Sequence, residues 1–443
     1  MTTTWLLLLV NIAATWCCST IHVSPPDGAT ATVIGRTMEL NDVGGDNQMI
    51  FGGLLLGVDP STQSLPLVNV DPWTISVHRR DEVVGEASVL CGGSCKRWKT
   101  KHGYVSVDLV GHLHKSVKSG MPAEYPSSLT VSTDGMNEKG LTVSTQIFTQ
   151  SVYMKPSNAS GDTNVCFAAF AEWLLGTFES VNELREALPK LKIVLPRPAL
   201  LQVPALAELA GLHWSIDDAS EHAVLEVIDG VIMMHNNTVG TFTNQPDFAW
   251  HLRNLNNFVN LRSDWPRNPN IQVQTEVGAV PSVTNAGHGF NLLGMPGDYS
   301  PPSRFVRLFY LREYAVLRFP PKKLEDSIAL ATGLLNNVFI NKGTVPDPNN
   351  KGFGEFTQYA VLKVPSSGLF FYNDYVNTQW RMVSLGALDF SPKEGATPIN
   401  VPLVDPTGSM SIKNVTASFT APASGLSTCK SDDADDLSCG PPL

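Results

Sequence analysis

The sequence predicts an α+β protein in which strands and helices fall into separate blocks. Two hairpins are written in turn residues, at 134–140 and at Asp229-Gly230; two later stretches carry helical periodicity; and strand-like segments return after them. Blocks of this kind pack as layers of helix on sheet, whereas single strands alternating with single helices would give βαβ units.

Residues 31–39 (ATVIGRTME) mix β-branched side chains with a turn-forming Gly35 and read as a strand entering a turn. Segments 129–132 and 141–148 flank Asp134-Gly135-Met136-Asn137-Glu138-Lys139-Gly140, which makes a hairpin. Residues 165–178 are apolar on most faces, as in a buried helix. Ser180-Val181-Asn182-Glu183 is a capping box opening a second helix through Leu188. Strands 223–228 and 231–235 close around Asp229-Gly230. Residues 304–317 and 324–339 are helical by period, and 358–364 and 368–373 are strands again. The Pro-rich 194–204 reads as a surface insertion.

With 443 residues, 43% of them hydrophobic, the chain can hold one large sheet domain with a real core. We expect a leader at 1–17, one domain at 18–421 and a disordered acidic tail at 422–443, where Ser and Asp crowd out apolar residues. Residues 5–14 (WLLLLVNIAA) are uncharged, long enough for a signal-peptide core and too short to span a bilayer. Cutting after Cys17 puts Thr15 and Cys17 at the small-residue positions that signal peptidase needs; cutting after Trp16 would put an indole there. The mature chain is then expected to begin Cys18-Ser19-Thr20-Ile21, with a thiol and a free α-amine in one residue. MTTTW carries no Lys or Arg, which favours a eukaryotic route: secreted, or the secretory or lysosomal lumen, with periplasm as the bacterial equivalent.

A formal charge of −10, with Lys and Arg clustered only in local pairs such as Lys322-Lys323, argues against a nucleic-acid partner. Beyond the leader no apolar run approaches membrane-spanning length, so no stable membrane insertion is expected. Of seven cysteines, Cys91/Cys95 and Cys429/Cys439 form local pairs, read as small disulfides of an exported chain, while Cys18 and Cys166 stand alone. CGGSC could be half a zinc site, but no second Cys/His pair with ligand spacing follows, since His112 and His114 alternate on a loop or strand, so no metal is expected. Asn158, Asn236 and Asn414 are N-glycosylation acceptors in a eukaryotic host.

Cys18 is followed eighteen positions later by Arg36, within Gly35-Arg36-Thr37-Met38-Glu39. Further on come DGMNEKGL (134–141), TNQPDFAWHLRNLNNFVNL (243–261) and GMPGDYSPPSRFVR (294–307). Together these segments resemble the choloylglycine hydrolase family, which includes conjugated bile acid hydrolases and penicillin V acylases, and the resemblance runs from Cys18 to about Asn377. It implies an N-terminal nucleophile hydrolase with a four-layer αββα sandwich, cleaving a linear amide C–N bond. No cofactor is implied, and no histidine sits in a motif that demands one.

By that resemblance Cys18 is the nucleophile. Its α-amine, with an ordinary pKa of about 7.7–8.0 against about 8.5 for a thiol, can exchange a proton with it almost evenly. Arg36 is the cation beside the thiol, favouring thiolate. Glu39 stands where many members have Asp holding the α-amine, one methylene longer here. Asn244 matches the oxyanion-hole amide, and Arg304 matches the family's arginine that binds carboxylate or orders the site. Where members often place Asn or Tyr after the hairpin this chain has Ile147, which can offer an oxyanion only its backbone N–H and points to an apolar acyl group. Asn137 reads as a turn residue. The expected partner is a small-molecule N-acyl amide (conjugated bile acid, penicillin V, N-acyl amino acid or N-acyl homoserine lactone), with a homo-oligomer open. The alternatives are an acyltransferase, a lipid amidase of the same superfamily, and a secreted binding protein without turnover.

Overall fold

The computed structural model describes residues 18–404, apart from 26–27, 29, 42–69, 86, 89–90, 92–93, 113–127, 196–210, 265–269, 272–273, 276–277, 280–282, 285–288, 347–353 and 394–398. The leader, His114, residues 196–204 of the Pro-rich segment, Asn414, Cys429, Cys439 and the tail therefore lie outside the described residues. In chain order the large-sheet strands are β1 (Cys18–Val23), β2 (Val33–Asn41), β3 (Val70–His78), β4 (Tyr104–His112), β5 (Ser128–Asn137), β6 (Thr142–Ile147), β7 (Leu212–Asp217), β8 (His222–Ile228), β9 (Val231–Asn236), β10 (Thr241–Phe242), β11 (Val345–Pro346), β12 (Gly354–Val364), β13 (Leu369–Asp374), β14 (Arg381–Ser384) and β15 (Ile399–Pro402). The helices that matter here are α1 (Phe170–Thr177), α2 (Val181–Ala187), α3 (Phe248–Asn254), α4 (Pro301–Arg318) and α5 (Leu324–Asn336).

Two antiparallel sheets result, one ordered β10-β1-β2-β12-β13-β14 with β11 on the edge of β12, the other β9-β8-β7-β6-β5-β4-β3-β15. Helices α4 and α5 lie against β1 and β2, and α1 lies against β5 and β6. Alternation along β1 shows why four layers form. Ile21 and Val23 join Leu308, Ala331, Leu334 and Leu335 in the core beneath α4 and α5. Cys18 joins Val105, Val107, Met136 and Tyr359 in the core between the sheets. All six residues of β1 are buried, because this strand is covered on both faces. The expected αββα sandwich is the observed one.

The local expectations mostly become these elements. Asp229 and Gly230 both take positive φ (51° and 74°), the pattern of a two-residue type I′ hairpin turn joining β8 to β9. At the β5–β6 turn Asn137 Oδ1 accepts from the Lys139 and Leu141 N–H groups, and its Nδ2 donates to the Leu175 and Phe178 carbonyls. One side chain thus shapes the turn and docks it to the end of α1. Gly140, at φ 89°, has room for no side chain: a Cβ there would lie 2.7 Å from the Pro365 carbonyl oxygen. Ser180 caps α2 by accepting from the Glu183 N–H, but the Glu183 carboxylate reaches the Glu179 N–H, one residue earlier than a capping box has it. The helix expected from 165 starts later. Val165 and Cys166 instead pair in parallel with Ile193 and Val194, and a 3-10 turn at Phe167–Ala169 precedes α1.

The disulfide expected between Cys91 and Cys95 is corrected by the structure. Cys91 bonds Cys166 across 75 residues, with Cα atoms 5.7 Å apart, and Cys95 is a buried free thiol. A five-residue ring is strained, whereas strand 163–166 carries Cys166 to a normal bridging distance. The sequon residues Asn158 and Asn236 are exposed. Closing a 75-residue loop restricts the unfolded chain enough to contribute about 2–4 kcal/mol. Cys166→Ala should therefore lower Tm by several degrees without altering the far-UV circular dichroism; an unchanged Tm would mean that the bridge contributes nothing.

Candidate active site

Strand pairing builds the site. In the β1–β2 register Cys18 lies opposite Met38 and Thr20 opposite Arg36, so the Cys18, Met38, Thr20 and Arg36 side chains all face the second sheet. Where β2 meets β12 the register shifts between Met38 and Glu39, a bulge that brings Glu39 opposite Thr357.

Around Cys18 the contacts come from five strands, a loop and a helix. Arg36 Nη2 is 3.5 Å from Cys18 Sγ and donates to the Thr145 carbonyl at 2.8 Å. Its Nη1 bonds the Tyr359 hydroxyl, which exchanges a further bond with Thr133 Oγ1, and lies 4.0 Å from Asp134 Oδ2. Met38 Sδ is 3.8 Å from the thiol. The Cys18 main-chain nitrogen donates to Asn244 Oδ1 at 2.7 Å, and Asn244 Nδ2 donates to the Ile147 carbonyl at 2.9 Å. Arg304, near the start of α4, spreads its guanidinium over Cys18 O (2.6 Å), Ser19 Oγ (2.6 Å), Asn244 Oδ1 (2.9 Å) and Tyr299 O (2.9 Å).

Cys18, Arg36, Asn244 and Arg304 thus meet, although up to 286 positions separate them in sequence. Arg304 orders the main chain of the first two strand residues and the Asn244 amide. Glu39 stands at the bulge, where its Oε1 accepts from Thr357 Oγ1 at 2.8 Å and its Oε2 makes no hydrogen bond among the described residues. Ile147 brings its carbonyl to Asn244, while its side chain packs in the core beneath α1. His112 ends β4.

Several members had no sequence signature. Asp134, read as a turn residue, is in β5, where its carboxylate accepts from Lys363 Nζ (2.6 Å) and Ser144 Oγ (2.8 Å). Lys363, fully buried, also donates to Ser144 Oγ and the Val143 carbonyl. Tyr359 and Lys363 are ordinary strand residues in sequence, whereas Asp134 and His251 stood in motifs that could have marked them. His251 in α3 bonds the Asn244 carbonyl through Nε2 at 2.9 Å and stacks on Phe305 at 4.5 Å, fixing the residue whose amide faces Cys18.

The electrostatics are a contest between burial and charge. Burial pushes the Cys18 thiol above its ordinary value, Arg36 pulls it down, and Glu39 adds to the rise. Burial pushes Glu39 up to about 7 against the pull of Arg304 and the Thr357 bond, and it holds His251 down at about 4. Chemically the arrangement offers a thiol beside a fixed guanidinium, a nitrogen held by an amide, and amide and main-chain polar groups converging on one point. The ≈ 470 Å³ cleft formed by Trp98, Asn158, Asp162, Trp173 and their neighbours shares none of these residues.

Two pH effects follow with opposite signs. Glu39, raised from 4.5 to about 7, contributes stability that is full below pH ~4.5 and lost as pH rises through about 7. His251, lowered from 6.5 to about 4, contributes stability that is full above pH ~6.5 and lost as pH falls through about 4. Urea unfolding from pH 4 to 9 should show Glu39→Gln removing a fall in stability between pH ~4.5 and about 7, and His251→Gln removing a rise between pH about 4 and ~6.5; unchanged slopes in these windows would contradict the burial argument. Separately, Arg304→Leu removes the guanidinium donor from Cys18 O, Tyr299 O and Asn244 Oδ1, at about 1–3 kcal/mol for each buried acceptor left unpaired, and should lower Tm clearly more than Arg253→Leu on exposed α3 surface.

With this geometry in hand, comparison with known proteins is direct. A profile of the linear amide C–N hydrolases, choloylglycine hydrolase family, matches residues 106–398. The chain is 33% identical over 255 residues to a bile salt hydrolase/transferase of Clostridium perfringens, covering 57% of this chain and 72% of that protein. It is 26% identical over 276 residues to a penicillin V acylase of Pectobacterium atrosepticum, covering 60% and 64%. Among solved structures, a variant of the conjugated bile acid hydrolase from Clostridium perfringens superposes with TM-score 0.65 at 24% identity, covering 90% of this chain and 99% of that one. Penicillin V acylase from Agrobacterium tumefaciens superposes with TM-score 0.56 at 18% identity, covering 86% and 90%. Residues 106–398 are well over half of the chain and hold the Asn244 and Arg304 motifs, so the chain belongs to the choloylglycine hydrolase family of linear amide C–N hydrolases, on the N-terminal nucleophile hydrolase fold.

Proposed function

We propose that the mature chain begins at Cys18 and hydrolyses a small N-acyl amide through a Cys18 thioester. The observation that carries this is the pairing of Cys18 Sγ with Arg36 at 3.5 Å and of the Cys18 nitrogen with Asn244 Oδ1 at 2.7 Å. In this reading the α-amine takes the thiol proton as sulfur attacks the amide carbonyl. The oxyanion is met by Asn244 Nδ2, which spends one of its two N–H bonds on Ile147 and keeps the other for the reaction. The C–N bond then breaks, the α-amine returns the proton to the leaving amine, and water attacks the thioester to release the acid. Arg36 holds negative charge on sulfur, Arg304 positions Cys18 and Asn244, and Glu39 is a positioning residue acting through Thr357.

The leader pattern supports a secretory route, with glycans at the exposed Asn158 and Asn236. The substrate class is an amide with an apolar acyl group: a conjugated bile acid, penicillin V, an N-acyl amino acid or an N-acyl homoserine lactone. A second reading, acyl transfer from the thioester to an amine, is favoured by the name hydrolase/transferase carried by the Clostridium perfringens relative.

N-terminal sequencing of the mature protein, followed by a screen of these four amide classes, tests the proposal. A chain starting at Cys18 should turn over at least one of them; Cys18→Ala should abolish turnover with the fold intact, and Asn244→Ala should lower kcat by about 10²–10³. Turnover surviving in Cys18→Ala would sink the nucleophile assignment. Adding glycine or taurine and weighing conjugate against free acid separates transfer from hydrolysis.

A further inference from the structure

At the other end of β1, four residues from the nucleophile and on the same face, His22 meets Asp217 and His222. His22 Nε2 and His222 Nδ1 each lie 3.2 Å from the same carboxylate oxygen, Asp217 Oδ1, and the three ligand atoms all fall within 4.8 Å of one another. We infer that His22, Asp217 and His222 form a zinc site that clamps the nucleophile strand to the second sheet. This is independent of the role proposed for Cys18.

The spacing is one that a metal ion can fill. Ligand atoms about 2.0–2.1 Å from a tetrahedral zinc stand about 3.3 Å apart, the spacing seen from each imidazole to Oδ1. The same 3.2 Å from His222 Nδ1 to Oδ1 also serves as a hydrogen bond when no metal lies between the two atoms. His22 is fully buried, and neither of its ring nitrogens makes a hydrogen bond among the described residues, although Nε2 lies 3.2 Å from Asp217 Oδ1. Ser215 Oγ donates to the other oxygen, Asp217 Oδ2, at 3.0 Å, leaving Oδ1 to face the imidazoles as an outer-shell partner would.

Imidazole with carboxylate is a zinc donor set. Two cations also face the cluster, and both are committed elsewhere. Lys363 Nζ donates to Asp134, while Arg312 donates to the His22 carbonyl and pairs with Glu313. The hairpin joining β7 to β8 supplies two ligands, Asp217 and His222, that pair across it, and β1 supplies the third from the other sheet. His222 is 17% exposed, which leaves a fourth position for water.

The test uses the untagged mature protein carrying Cys18→Ala, so that the nucleophile thiol cannot take up metal. After dialysis against a chelator, one equivalent of ZnCl₂ should bind per chain and raise Tm, and Co²⁺ in its place should give the d–d absorption of a tetrahedral site. His222→Asn, at the partly exposed ligand, should weaken zinc binding by more than the about 10–100-fold typical of an outer-shell change, with the metal-free Tm unchanged. No zinc uptake and no shift in Tm would overturn the site, as would uptake that His222→Asn leaves undiminished.

Discussion

One buried cation holds the reactive end of this molecule together. Arg304 has no exposure to solvent, and its guanidinium bonds the carbonyl of Cys18, the hydroxyl of Ser19, the side chain of Asn244 and the carbonyl of Tyr299. Removing such a charge from water costs several kcal/mol, and only a full set of acceptors offsets it. The fork of an arginine can satisfy acceptors from β1, the segment after β10 and the start of α4 at once, which the point charge of a lysine cannot. Chain geometry at Cys18 and orientation of the Asn244 amide are therefore coupled, because both depend on the same planar group.

A second buried polar layer runs between the sheets. Lys363 from the first sheet bonds Asp134 and Ser144 of the second, and Asp134 faces Arg36 at 4.0 Å. Arg36 in turn bonds Thr145 and Tyr359, so the guanidinium beside the thiol is fixed from both sheets. Buried charges of this kind are a poor source of stability but a good source of unique geometry, since any slip of one sheet past the other would leave them unpaired. Burial and charge oppose each other at the thiol itself: burial favours the neutral form, and Arg36 returns part of the thiolate's stability.

Much of this was legible in the chain. The turn chemistry of Asp229-Gly230 and the Ser180 cap became the elements they predict, because those signals are satisfied within a few residues. Local satisfaction is also why two readings went astray. Val165 and Cys166 look helical by apolarity alone, but a parallel partner at Ile193 and Val194 claims them as strand. Cys91 looks paired with Cys95 by proximity, yet a strand brings Cys166 within bonding distance. Tyr359 and Lys363 carry no local pattern, since their partners lie 219 or more positions away, and His251, although inside the 243–261 segment, acts through one carbonyl seven residues off.

By itself the sequence determined the residue types: a cysteine at the expected mature terminus, the arginines and the asparagine in their motifs, and the apolar periodicities that make two covered sheets. Those are properties of composition and short-range order. Only the tertiary structure decided which groups meet. It set Asn244 against the Cys18 nitrogen, turned the Ile147 carbonyl toward Asn244, placed Glu39 against Thr357, and brought His22 to Asp217 and His222 from 195 or more positions away. The physical reason is that an antiparallel sheet converts sequence distance into cross-strand distance through its register, and register is fixed by the whole set of buried faces rather than by any one segment.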